Sequence, residues 1–115
     1  MGCISPLMID SRNMIELKIA IKEKIEETKM IHENKIKQLT GNSLIINTIN
    51  FTIIHSDSLE ILENLEKNSH KLNTSKDFEE LKNSILDYFN SIDKEDFLKS
   101  KKCKNKILQL YKKIE

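Results

Sequence analysis

The chain has 115 residues, enough for one domain and too few for two independent cores. Two Gly, one Pro and two Cys exclude a collagen-like chain and a disulfide scaffold. No run approaches the roughly 18 consecutive apolar residues of a membrane span.

The composition is lopsided. There are 18 Lys against one Arg, 18 Ile against no Val, and 11 Asn. Ile, Lys and Asn are the residues of A/T-rich codons. The bias therefore points to an A/T-rich source (a bacterium, mobile element, virus or parasite) before it points to any function. The net charge of +1 is unevenly placed: residues 1–56 carry +1, residues 57–96 carry −6, and residues 97–115 carry +6. Codon bias explains why the bases are Lys. It does not explain their crowding at the C-terminal end.

Residues 1–12 read as an irregular arm. From Asn13 the periodicity becomes helical: Met14, Leu17, Ile21, Ile25, Thr28, Ile31, Ile36 and Leu39 recur at three- and four-residue steps. Asn13 with Glu16 three residues later predicts a capping box. Gly41 is placed to end this helix in a left-handed turn. Residues 44–54 are rich in Ile, Thr and Phe, which favours a strand by propensity. A lone strand would have no partner, and Leu44, Ile45, Ile49, Ile53 and Ile54 also fit a helical face, so the segment is read as helix.

Asp57 and Glu60 predict a fresh cap, with a kink or break at residues 55–58. The next stripe is Leu59, Leu62, Leu65 and Leu72. A turn at Asn73-Thr74-Ser75 follows. Phe78, Leu81, Ile85, Tyr88, Phe89 and Ile92 then form the cleanest stripe in the chain. Asp93 is the expected cap of a last helix carrying Phe97, Leu98, Ile107, Leu108, Leu110, Tyr111 and Ile114. The expected fold is an all-α, antiparallel bundle of four helices, or five if the second breaks, in one domain over residues 13–115. Short loops make sequence neighbours antiparallel.

Little in the chain carries site chemistry. His32, His55 and His70 fall on three segments with no metal-ligand spacing among them. One internal Gly cannot build a phosphate-binding loop. Acid pairs such as Glu26-Glu27 and Glu79-Glu80 read as solvated helix faces. No enzyme activity, metal or cofactor is expected. Without a basic stretch leading into an apolar run there is no secretory leader signal, and a reducing, cytoplasmic setting is expected.

Three features remain as modification or charge sites. Met1-Gly2-Cys3 offers Gly2 for myristoylation and Cys3 for palmitoylation in a eukaryotic host, which would place the protein on membranes; Ser5 stands one place early for that signal. Lys99, Lys101, Lys102, Lys104, Lys106, Lys112 and Lys113 form a basic patch candidate for nucleic acid or an anionic membrane surface. Their spread around the helix, and the lack of Arg beside them, favour a solvated or intrachain-paired face over a base-reading one.

Asp57-Ser58-Leu59 at a predicted helix start resembles the motif at which acyl carrier proteins take a phosphopantetheine arm. Glu60 to Glu66 resembles that family's amphipathic second helix, and Asp77-Phe78 through Asp87-Tyr88 its final part; Ser56 stands where the family usually has Gly. The resemblance implies Ser58 as a modified serine whose phosphate would meet free helix N–H groups.

The remaining expectation is a small non-enzymatic bundle that acts by protein–protein binding, as an adaptor, inhibitor, immunity-type or accessory protein. The face expected to carry it is Leu44, Ile45, Ile49, Phe51 and Ile53, in the segment that is apolar nearly all round. Its partner is another protein or, preferably, a second copy.

Overall fold

The computed structural model describes residues 12–68 and 75–114, all of it helical or in short connections. Four helices follow in order: α1 (Met14–Ile36), α2 (Gly41–Asn68), α3 (Ser75–Asp93) and α4 (Phe97–Ile114). The expected arm at residues 1–11, with Gly2 and Cys3, lies outside the described residues, as do His70, Leu72 and the turn at Asn73-Thr74.

Helix α1 starts where the sequence places it. The Glu16 backbone N–H donates to Asn13 Oδ1 at 3.0 Å, and the Glu16 carboxylate returns toward the Arg12 N–H at 3.4 Å. The helix ends earlier than expected, with Lys37 as its last cap. Gly41 does adopt a left-handed φ of +61°, but at the start of α2 and not at the end of α1.

Residues 44–54 are helical, and α2 runs unbroken through residues 55–58, so the fifth helix does not exist. Tertiary contacts override the local cap signal there. Ser58 Oγ donates back to the Ile54 carbonyl at 2.7 Å, as a mid-helix serine does. The Asp57 carboxylate faces α4 instead of capping a helix.

The turn between α3 and α4 is also capped differently from expectation. Asp93 is the last residue of α3, and Asp96 caps α4, accepting from the Lys99 N–H at 3.2 Å. Between them Glu95 takes a left-handed φ of 59°. The Asp96 N–H reaches the Ser91 carbonyl (2.8 Å) and the Glu95 N–H reaches the Ile92 carbonyl (2.9 Å), the two bonds of a Schellman turn with Glu where Gly is usual.

α1 packs on α2 and α3, and α4 packs on α3 and α2. The hairpins α1–α2 and α3–α4 therefore lie face to face, with α2 and α3 on a diagonal. The core holds Leu17, Ile21 and Ile25 of α1, Ile61 and Leu65 of α2, Leu81, Ile85, Tyr88, Phe89 and Ile92 of α3, and Ile107 and Tyr111 of α4. The α3 stripe is the one read from the sequence. The α1 stripe bends away from it: Ile31 is exposed and His32 is buried. Leu98, expected inside, is also exposed. Among the described residues no helix is long and apolar enough to cross a membrane.

Candidate binding face

The two hairpins differ in length, and this creates the site. α1 and α2 have 23 and 28 residues, against 19 and 18 in α3 and α4. The first buried residue of α2 is Phe51, so its first ten residues extend past the core as an overhang.

Four large apolar side chains stand on that overhang and just beyond it. Ile45, Ile46, Ile49 and Ile53 are 58%, 57%, 54% and 47% exposed. At 3.6 residues per turn they share one face of α2 with Asn42, Ser56, Glu60 and Glu63. From residue 38 to residue 56 the chain holds no Asp, Glu, Lys or Arg, in a protein that is 32% charged. The upper face is thus apolar and neutral, and its lower end is acidic. Leu44 is half-buried.

Phe51 does not belong to this face. It points inward and stacks on the His32 ring, with centroids 3.8 Å apart and planes at 11°. The Lys35 ammonium lies 6.0 Å from the Phe51 centroid on the way to its ion pair with Glu95. Burial, and next the Lys35 charge, hold the His32 imidazole below the ordinary histidine pKa of 6.5; Glu95 and Asp93 pull the other way.

This stack floors an open groove of about 620 Å³ between α1 and α2. Ile25, Ile36, Ile54 and Leu59 supply its apolar walls, and Glu33 and Glu63 help to line it. Thr28 Oγ1 is buried there without a hydrogen-bond partner among the described residues.

The basic patch is divided by the fold. Lys104 is buried: its ammonium donates to Asp57 Oδ1 at 2.8 Å and lies 2.9 Å from Glu60 Oε2. Burial alone would lower its pKa. The hydrogen bonds to Asp57 and Glu60 outweigh that and hold it above the ordinary lysine value. Lys101 reaches the other Asp57 oxygen at 3.4 Å. Lys99, Lys102, Lys106 and Lys112 remain exposed, and the Lys113 side chain lies outside the described residues. The acidic middle of the chain thus neutralises part of the basic end within the bundle.

Ser58 is not at a helix N-terminus. It is 2% exposed in the middle of α2 and, besides the Ile54 carbonyl, shares a 2.9 Å hydrogen bond with the Tyr88 hydroxyl. Its oxygen has neither the free N–H groups nor the access that the acyl-carrier resemblance implies.

The polar residues that sequence reasoning missed are Lys24 and His32. The His32 phase was available: Ile21, Ile25, Thr28 and His32 continue one stripe at steps of four, three and four. Among the described residues no group of three His, Cys, Asp or Glu is placed to hold a metal ion.

Among the described residues, fold and site define an all-α four-helix bundle with an exposed apolar helix face. No family model, curated protein or solved structure matches the chain.

Proposed function

We propose that this chain is a non-enzymatic helical-bundle module that works by docking another protein chain on the exposed face of α2. The observation that carries the reading is the row Ile45, Ile46, Ile49 and Ile53, about half exposed on a segment without charge. Full burial of one such side chain is worth about 1.5–3 kcal/mol, so covering the exposed half of four supplies roughly 3–6 kcal/mol before the cost of association. The same residues contribute little to the monomer's core, which is complete without them. Two of the candidate modification and charge sites are engaged within the bundle: Ser58 with Tyr88, and Lys104 with Asp57 and Glu60.

The test is the Ile45→Glu/Ile49→Glu variant. It keeps the helical circular dichroism of the parent, since neither side chain is buried. It loses the protein, or the second copy, that the parent retains in cross-linking and affinity capture from its source cells. Lys102→Glu/Lys106→Glu leaves that capture intact. Equal capture by the parent and the isoleucine variant, or loss only with the lysine variant, would remove the reading.

A further inference from the structure

The occupant of the α2 face can be named from its charge pattern; the inference rests on the reading above. We propose that the occupant is a second copy of this chain, with the overhangs of two α2 helices packed antiparallel about a twofold axis at Ile49.

A twofold interface brings the same patch of both copies together, so the patch must tolerate itself. Residues 38–56 do, because they hold no formal charge. With the axis at Ile49, each Ile49 meets its own copy and Ile45 meets the other copy's Ile53. The spacing of four residues on either side of Ile49 makes the apolar row symmetric under that operation.

The lower end of the face sets the direction. Glu60 and Glu63 continue the same stripe toward the C-terminus of α2. Glu60 is neutralised by Lys104 of its own chain, so Glu63 is the charge that counts. A parallel pairing would set Glu63 against itself, which like charges oppose. An antiparallel pairing carries it past the other copy's hairpin tip. Glu63 lies about 21 Å along the helix from Ile49, and the start of α2 about 12 Å in the opposite direction. The loop just beyond that start carries Lys37, which is exposed. Glu63 of each copy thus lies toward Lys37 of the other. Antiparallel overlap also keeps the two α3–α4 pairs at opposite ends, because the first ten residues of α2 lie ahead of its first buried side chain.

The four half-exposed isoleucines and their polar neighbours offer roughly 500 Å² on each copy, below the ~800 Å² per partner of a standard specific interface. The dimer is therefore weak and concentration-dependent.

The experiment is sedimentation equilibrium of the full chain from the low to the high micromolar range. The mass is expected to rise from one chain to two, and less so in high salt. Ile49→Asp abolishes the rise with its helical circular dichroism unchanged. Glu63→Lys weakens the dimer by about tenfold through like-charge contact with Lys37, and Lys37→Glu/Glu63→Lys restores it. A mass of one chain at every concentration overturns the second-copy inference. It leaves the protein-binding reading standing, because that reading fails separately, in the capture by Ile45→Glu/Ile49→Glu. A dimer that survives Ile49→Asp places the interface elsewhere and overturns the inference. A charge swap that does not restore association overturns the antiparallel arrangement.

Discussion

The Lys24 ammonium, in a residue only 1% exposed, donates to both carboxylate oxygens of Asp93 at 3.1 and 3.0 Å. The pair ties the middle of α1 to the last residue of α3. Asp93 sits at the negative end of its helix, where a carboxylate is disfavoured. The lysine offsets both that end and the carboxylate charge. Lys24 in turn is held in the core by the oxygens it meets there.

Removing Asp93 takes two oxygens from the buried Lys24 ammonium, which keeps the Glu27 carboxylate at 3.8 Å; breaking a buried pair costs about 3–5 kcal/mol. Asp93→Ala is expected to lower stability by about 3 kcal/mol, read from the urea midpoint at unchanged slope. Replacing both partners, as in Lys24→Met/Asp93→Leu, recovers most of that loss. A single variant within experimental error of the parent would show that the pair is screened by water.

His32 gives the protein a pH dependence of definite sign. Its folded pKa lies below the unfolded value of 6.5, because burial first and Lys35 second disfavour the imidazolium. As pH falls through 6.5 the unfolded chain takes up a proton that the folded chain resists. Stability therefore drops on acidification and is restored above the unfolded value. Between about pH 7.5 and about pH 5.5 the parent should lose stability more steeply than His32→Phe, which keeps an aromatic ring against Phe51. Parallel pH profiles for the two proteins would show that His32 is not the group responsible.

The elements that the sequence reveals are those set by local periodicity. Leu17, Ile21 and Ile25, and the α3 stripe from Phe78 to Ile92, are buried as their spacing requires. The Ile-rich segment is helical once the codon bias is discounted. Polar placement is different, because it depends on residues far away in the chain. Lys24 meets Asp93 across 69 positions and Lys104 meets Asp57 across 47. Both lysines fall in phase with the buried stripes of their helices, but the local sequence does not name the carboxylate that each one meets. Asp57 and Ser58 carry a helix-start signal, yet both side chains are claimed by α3 and α4. Glu95 takes a backbone conformation that Gly would have announced. On the exposed face of α2, the row Ile45, Ile49 and Ile53 is legible in the sequence, whereas Phe51 is not excluded from it. Its inward turn depends on the His32 ring, which the α1 stripe of Ile21, Ile25 and Thr28 places inside but does not pair with Phe51.

The two tyrosines report the integrity of the core at two points along the buried face of α2. Tyr88 shares a hydrogen bond with Ser58, and the Tyr111 hydroxyl donates to the Ile61 carbonyl at 3.2 Å. Burial pushes both phenols well above the ordinary value of 10.0; in Tyr88 the Ser58 hydrogen bond opposes the shift and the Asp57 charge adds to it. An unfolded chain ionises its tyrosines near pH 10 while the folded chain does not, so stability falls as pH rises past that point. The chain has two Tyr and no Trp, so phenolate absorbance reads these two residues alone. It should rise in one cooperative step that coincides with loss of helical ellipticity in an alkaline titration. Tyr88→Phe should leave a single-tyrosine step of half the amplitude at the same transition, since Tyr111 is released only when α4 leaves α2. A tyrosine ionising near pH 10 with the helical signal intact would mean that its side of the core is open to water.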